Sequence, residues 1–380
     1  MERTKLVRLC VATKIWSSGT GWFATELAQG LANNGALVNF VAPALSPSSW
    51  EPSHRNITRL TPPRETTDHT AKFAARVSKL NRIVWTLYYL FIGSALSRIV
   101  IFSMPDHEVV SIPTFFMLRL LSKKVLLIVH DPLPHDFRHR GGQRFRKMLL
   151  KIQYHLASTL VVLSEAGKQE IIRTFGIPDG RIRVIPHGAF ALAGGTPLPG
   201  SGAILAFGSV RRNKNVLQVI EAVKALRSRG HSVRLVLAGG ADPSDEYCRA
   251  CLEAASEDPD GVVNMLQFVA DADLPDLVAK VDAFILAYSE FNSQSGVAVL
   301  AGLSGRPVIT SFAGGIRELQ AAGLVGVSIE EPICVATISK AIEEFYELPT
   351  SVWQAKAESG RARLAAELDW TAIAKRYLAL

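Results

Sequence analysis

The chain has 380 residues, 48% apolar and 20% charged, with 28 Gly and 19 Pro. That length suits two domains, and the composition excludes a disordered, collagen-like or disulfide-framework protein. Four cysteines (Cys10, Cys248, Cys251 and Cys334) are too few to staple a chain this long, and point to a reducing compartment. The net charge of +8 is unevenly spread: residues 1–190 carry +13 and residues 191–380 carry −5. A basic first half suits an anionic partner, such as a lipid diphosphate or an anionic membrane surface. Nucleic acid is not expected, because no zinc-finger spacing, RNA-binding signature or basic repeat accompanies the charge.

No long apolar run follows Met1-Glu-Arg-Thr-Lys5, so export is not expected and the protein reads as cytoplasmic, at most peripheral at the cytoplasmic membrane face. Short β-branched apolar runs then recur: Leu6–Ala12, Leu37–Ala42, Ile99–Phe102, Val125–Val129 and Leu160–Leu163, followed by Ile204–Phe207, Val233–Ala238, Val262–Phe268, Ala283–Leu286 and Val308–Thr310. Continuous runs of this kind, bounded by turn residues, predict buried parallel strands. Helical segments such as Trp22–Asn33 and Val216–Ser228 alternate with them. The expected fold class is α/β, with two Rossmann-like doubly wound parallel sheets facing a cleft. The uncharged stretch Ile83–Ser97 is too short to span a bilayer. A buried core helix is the expectation there, with an interfacial surface as the competing reading.

The segment Gly188–Gly202 holds five Gly, two Pro and no charge, the composition of a linker. The domains are therefore expected at 1–188 and 203–350, joined by a hinge over 189–202. The helical stretch 351–380 is expected to pack back on the first domain.

Two segments carry anion chemistry. In Tyr288-Ser-Glu-Phe-Asn-Ser-Gln-Ser-Gly-Val-Ala-Val-Leu300 a strand ends, a polar loop follows, and a helix starts near Ser295. Exposed backbone N–H groups and the positive dipole end make a helix start a phosphate site, with Ser295 as N-cap and Gly296 letting a diphosphate approach. The competing reading is a plain capped helix. In Gly208-Ser-Val-Arg-Arg-Asn-Lys-Asn215, Arg211 and Lys214 lie three apart at a strand-to-helix turn. Two fixed cations there would neutralise a departing diphosphate; the competing reading is a solvated basic turn.

Other motifs fail on context. Gly19-Thr-Gly21-Trp-Phe-Ala24 fits a dinucleotide fingerprint, but it begins several residues after its strand, and no acid follows Asn39-Phe-Val-Ala-Pro43 to hold a ribose. A loop cradling an acceptor or a donor phosphate, with Gly19, Thr20 and Gly21, fits better. Asp271-Ala-Asp273 reads as a helix start, with Asp273 as N-cap and Pro275 in the first turn, rather than as a metal motif. Cys248 and Cys251 lack a second pair for zinc. His135 and His139, with Asp136 between them, lie four apart with no further ligand nearby, which argues against a metal site. No metal or other cofactor is expected.

Taken in order, Gly208…Arg211…Lys214, Ser293-Gln-Ser-Gly-Val297, Gly305-Arg-Pro-Val-Ile309 and Gly314-Gly-Ile-Arg-Glu318 resemble the large retaining glycosyltransferase family 4, whose members have the two-domain GT-B fold. In the first half, Trp16-Ser-Ser-Gly-Thr-Gly21 resembles that family's glycine-rich loop and Val129-His-Asp-Pro-Leu-Pro-His135 its His-Asp turn. Ile185-Pro-His-Gly188 resembles the segment entering its hinge, and Leu368-Asp-Trp-Thr371 the start of its closing helix. The chain departs from the family where two Glu usually stand eight apart: counting back from Gly305, those positions are Asn292 and Leu300. It resembles the subset with Gln-Ser-Gly-Val instead. Ser209 stands where the family's turn has its first Arg, with Arg211 as the nearest substitute.

The resemblance implies transfer of a sugar from a nucleotide-diphosphate donor to a hydroxyl of a glycan or lipid-linked saccharide, with retention. The first domain would take the acceptor and the second the donor. By the same resemblance His130 contacts the transferred sugar and Asp131 orients the acceptor or acts as a base; a capped His and a turn Asp are the plain alternative. Donor binding would fall to Arg211, Lys214, Asn292, Ser293, Gln294, Ser295, Gly296 and Val297, and domain closure would exclude water. The cations Arg138, Arg140, Arg144, Arg146 and Lys147 would dock a lipid-diphosphate acceptor at the membrane face, or form a solvated helix face. An epimerase or phosphorylase on the same fold, and a catalytically silent nucleotide-binding subunit, remain as alternatives.

Overall fold

Each of the ten apolar runs overlaps a β-strand, and among the described residues three further strands complete two sheets. The computed structural model describes residues 7–15, 18–44, 51–65, 72–133, 143–189, 195–267, 269–270, 272–289 and 291–380. The chain divides into two units, Met1–Gly188 with Asp369–Leu380, and Ala189–Leu368.

The first unit runs β1 (Arg8–Thr13), α1 (Ser18–Asn33), β2 (Leu37–Val41), β3 (Ile57–Leu60), α2 (Lys72–Ala95), β4 (Ile99–Met104), α3 (Glu108–Leu120), β5 (Lys124–Val129), α4 (Gln143–Leu156), β6 (Thr159–Val162), α5 (Glu165–Phe175) and β7 (Ile182–Val184). Its seven strands lie in the order β3-β2-β1-β4-β5-β6-β7, and every recorded pairing is parallel. The order reverses between β1 and β4, which makes their carboxyl ends the switch point where such sheets bind ligands. Leu90 of α2, Phe115 of α3, Leu150 of α4 and Phe175 of α5 share one core with Cys10, Val100 and Leu127. These four helices therefore cover one face of the sheet. Side chains alternate along a strand, so Leu9 and Val11, both buried, point to the other face.

Ser164 starts α5 by accepting a hydrogen bond from Gly167 N at 3.1 Å, and Gly176 ends it in the left-handed conformation that glycine adopts without steric cost.

The second unit runs β8 (Ala203–Phe207), α6 (Val216–Ser228), β9 (Arg234–Ala238), α7 (Glu246–Ser256), β10 (Val262–Met265), α8 (Leu274–Ala279), β11 (Ala283–Leu286), α9 (Gly296–Leu303), β12 (Val308–Thr310), α10 (Ile316–Ala322), β13 (Gly326–Ser328), α11 (Val335–Glu347) and α12 (Thr350–Glu367). The sheet order is β10-β9-β8-β11-β12-β13, again parallel, with its switch point between β8 and β11. Cys248 and Cys251, on α7, are buried in the core that α7 shares with α6.

The last helix, α13 (Trp370–Leu378), belongs to the first unit, while α12 stays with the second. The chain thus returns at Asp369, not at residue 351. Asp369 caps α13 through Ala372 N at 2.9 Å. The helix lies close on α1, where Asn34 Nδ2 donates to Thr371 O at 2.9 Å and a Cβ on Gly30 would fall 2.6 Å from Trp370 O.

Residues 195–202 are stitched to the second unit rather than free. Arg306, with no exposed surface, donates to Thr196 O at 2.6 Å, Thr196 Oγ1 at 2.7 Å and Val278 O at 3.0 Å. The backbone N–H groups of Ser201 and Gly202 donate to Asp282 at 3.1 and 2.7 Å. A buried guanidinium is tolerated because its donors are satisfied.

Two further expectations are corrected. Gly19, Thr20 and Gly21 are not a loop but the first turn of α1. The stretch Ile83–Ser97 is not a buried core helix. Most of it is the second half of α2, which buries Thr86, Leu90 and Ser94 while leaving Trp85, Tyr88, Phe91 and Ile92 exposed.

Candidate functional site

In the first unit β5 delivers His130 and Asp131 at its carboxyl end, one strand from the switch point. His130 is half-buried. Phe23 of α1 meets it edge-on with ring centroids 4.8 Å apart, and meets His187 at 4.9 Å and Trp370 at 5.1 Å. Trp22 stacks on His187 at 6.2 Å. One aromatic cluster therefore gathers the start of α1, the end of β5, the segment before Gly188 and the start of α13. Gly188 is obligatory there, since a Cβ would fall 2.2 Å from Cε2 of Trp370.

Burial, and then the neighbouring His187, lower the His130 imidazole to about 3, and burial lowers His187 to about 4. Both rings are neutral at pH 7, so they offer hydrogen bonds rather than charge. His187 Nδ1 lies 2.7 Å from Gly188 O and so carries its proton on that nitrogen as the donor. Asp131 is half-buried, near enough to Tyr154 that its charge adds to burial in raising that phenol. Tyr154 Oη donates to Pro132 O at 3.2 Å.

In the second unit the two anion segments meet at the β8/β11 switch point. After β8, Gly208 turns with φ +96°, the chain passes the exposed Arg211, and a short 3-10 turn, Arg212–Lys214, leads to Asn215 at φ +50°. Asn215 Nδ2 donates to Ala287 O at 2.7 Å, and Ser289 N donates to Asn213 O at 3.0 Å. These bonds tie the turn after β8 to the loop after β11. A Cβ on Gly208 would lie 3.0 Å from Lys214 Nζ and 3.9 Å from Val297 Cγ2, so Gly208, Lys214 and the start of α9 converge. Gly208, Ser209, Lys214 and Tyr288 line one cavity.

Burial pushes the Lys214 ammonium down to about 8, with Arg211 adding to the shift. Among the described residues it donates one long hydrogen bond, 3.5 Å to Phe207 O. Ser295 Oγ accepts from Ala298 N at 3.2 Å and lies 3.3 Å from Tyr288 Oη, so this hydroxyl is taken by the cap and by its neighbour. Gly296 and Val297 stand in the first turn of α9, where helix geometry supplies no backbone acceptor for their N–H groups. Asn292 is half-buried, and Ser293 and Gln294 are buried. Ser293 O accepts from Gly315 N at 2.9 Å. Leu300 lies in the apolar core with Leu286, Leu303 and Leu364, so no polar group stands at that helix position.

Arg138, Arg140, His135, Asp136, His139 and Asp271 lie outside the described residues. Asp273 precedes α8 without a side-chain capping bond, and Pro275 lies in its first turn. His187 is the neighbour that sequence reasoning missed. Its ring partners Trp22, Phe23 and Trp370 are distant in the chain, so no local motif marks it.

Doubly wound parallel sheets in two units, with a cationic turn at the second switch point, describe a class that solved structures make explicit. The chain matches HepE of Anabaena in complex with UDP-glucose at a TM-score of 0.71, with 16% identity over 98% of each chain. It matches sucrose-phosphate synthase of Thermosynechococcus elongatus at 0.68, with 17% identity over 98% of each. The fold is GT-B. Residues 17–189 match the family model described as Glycosyltransferase Family 4, and residues 201–347 match that described as Glycosyl transferases group 1. The chain carries both domains and belongs with the glycosyltransferases. A glycogen synthase of Mycobacterium tuberculosis is 30% identical over 234 residues, 59% of this chain and 54% of that protein. The chain spans about half the length of the curated relatives it matches.

Proposed function

We propose that the protein transfers a sugar from a nucleoside-diphosphate donor to a hydroxyl of a glycan or lipid-linked saccharide, with retention and without a metal. The observation that carries the reading is the convergence of Gly208, Lys214 and the start of α9, with Arg211 beside Lys214. Two cations and an N-terminal helical turn meet one diphosphate there, and preorganised charge of this kind replaces the metal used elsewhere. The donor loop is completed by Asn292, Ser293 and Gln294.

The bond from the anomeric carbon to the diphosphate oxygen breaks, and its electron pair leaves with the diphosphate. The acceptor oxygen bonds to the same face of that carbon and gives its proton to the departing phosphate oxygen. Neutral His130 holds a sugar hydroxyl by hydrogen bonding, and Asp131 orients the acceptor. The first turn of α1, with Gly19, Thr20 and Gly21, lets a ligand approach the backbone closely.

A second reading is a nucleotide-binding subunit without turnover. It is favoured by Leu300, which puts a buried apolar side chain where relatives of the resembled family hold a carboxylate. A thermal-shift titration with UDP, GDP, ADP and dTDP, with and without magnesium, tests binding. Selective stabilisation by one nucleotide without metal, followed by consumption of the matching sugar nucleotide, supports the transferase. Stabilisation without turnover under any acceptor supports the silent subunit, and no stabilisation defeats both.

A further inference from the structure

Helix α2 turns its apolar side outward. The stripe it buries, Arg82, Thr86, Leu90 and Ser94, repeats every four residues and is mostly polar. On the outer side Phe73, Leu80 and Phe91 are 81%, 62% and 62% exposed. The neighbouring helices continue this surface. α3 and α4 cover the same face of the sheet as α2, they pack on each other, and α2 and α3 line one cavity. Their outer sides carry Phe116, Leu120 and Phe145, all more than half exposed. Soluble monomers rarely expose an apolar area of this extent without a partner.

The charge identifies the partner. The three helices contain nine Lys or Arg and a single acid, Glu108, which is buried. Arg76, Lys79, Arg119, Arg144, Lys147 and Lys151 are exposed among the apolar side chains. Large apolar groups interleaved with cations match the acyl boundary and phosphate layer of an anionic bilayer. A second copy of the chain fits poorly, because a symmetric contact would set the same cations against each other. Among the described residues no helix is long and apolar enough to cross a membrane. We propose that the outer face of α2, α3 and α4 docks the protein on an anionic lipid bilayer, with Phe73, Leu80 and Phe91 at the acyl boundary.

Flotation of the full chain with vesicles tests this independently of the transferase reading. Binding to phosphatidylcholine vesicles containing phosphatidylglycerol is expected to exceed binding to phosphatidylcholine alone by at least about tenfold and to weaken in salt. The triple variant Phe73→Ser, Leu80→Ser, Phe91→Ser is expected to lose about tenfold or more on the anionic vesicles, and Arg76→Glu with Lys79→Glu to lose the anionic preference. These side chains are exposed, and unchanged melting temperatures check that both variants fold. Failure of the wild-type protein to float with anionic vesicles overturns the proposal, as do variants that float equally well. A dimer in ultracentrifugation that the triple variant dissolves would give the face to a second copy. Loss of nucleotide binding or turnover with vesicle binding intact would remove the transferase reading alone.

Discussion

Lys214 folds back over Gly208, its Nζ 3.0 Å from where a side-chain carbon on Gly208 would stand. The ammonium is largely desolvated, and among the described residues the charge that bears on it is the cation Arg211. Such a charge costs the native state free energy, and a bound diphosphate would offset the cost. Lys214→Ala is therefore expected to leave stability unchanged or slightly raised while lowering kcat/KM by about a hundredfold or more, the scale of losing one preorganised donor. Steady-state kinetics beside a urea melt checks both halves. Wild-type turnover from the folded variant would remove Lys214 from the diphosphate site.

The same lysine sets a pH dependence. With a native value of about 8, it is charged below that pH and neutral above it. Nucleoside-diphosphate affinity is expected to be highest below pH 8 and to fall by up to about tenfold per pH unit above it. Lys214→Arg keeps its charge throughout and should flatten the curve. Calorimetric titration between pH 7 and pH 9.5 reads the difference.

Much of this arrangement was legible in the sequence, and the gaps have physical causes. Strands buried on both faces are nearly continuous apolar runs, so the nine inner strands declared themselves, and the edge strand Val262–Met265 showed through its own apolar residues Val262, Val263 and Met265. Among the described residues the three that did not, Ile57–Leu60, Ile182–Val184 and Gly326–Ser328, are short and lie at sheet edges. Arg59 and Arg183 interrupt the apolar pattern of two of them. Ser18-Gly-Thr-Gly21 has poor helix propensity and read as a loop. Burial of Trp22 and Phe23 overrides that propensity and starts α1 early. The strand-to-helix turn at Lys214 and the helix start at Ser295 were legible because each motif is local. The pairing of His130 with His187 is purely tertiary and left no local signal.

Gly314 presses against the loop that precedes α9. A Cβ there would fall 2.4 Å from Ser293 O, and its φ is +62°. Gly314→Ala should displace Ser293, cost about 1–3 kcal/mol of stability, and weaken nucleotide binding in proportion to the loop shift. Denaturant unfolding with a parallel nucleotide titration tests it. Loss of stability with unaltered binding would separate this loop from the donor.

Chelation is expected to leave activity unchanged if, as proposed, Arg211, Lys214 and the α9 terminus supply the positive charge at the diphosphate. Assays in EDTA, then with magnesium or manganese restored, decide this. Activity lost and recovered with one divalent ion would require a metal site.

The His130–His187 pair predicts acid sensitivity of the first unit. Both imidazoles lie below their ordinary value, at about 3 and about 4. Between pH 6.5 and 4 the unfolded chain therefore binds protons that the native state refuses. Stability from this source is complete above the unfolded value and is lost as pH falls toward the folded values, by about 1.4 kcal/mol per pH unit for each ring. Urea unfolding at pH 7, 6 and 5 should show a falling midpoint, and His187→Phe should remove about half of that slope. The activity profile should show no limb near pH 6.5 from His130, since its ring stays neutral across that range. A rate that titrates near pH 6.5 and loses that dependence in His130→Gln would make the ring a proton carrier and overturn its role as a neutral hydrogen-bonding group.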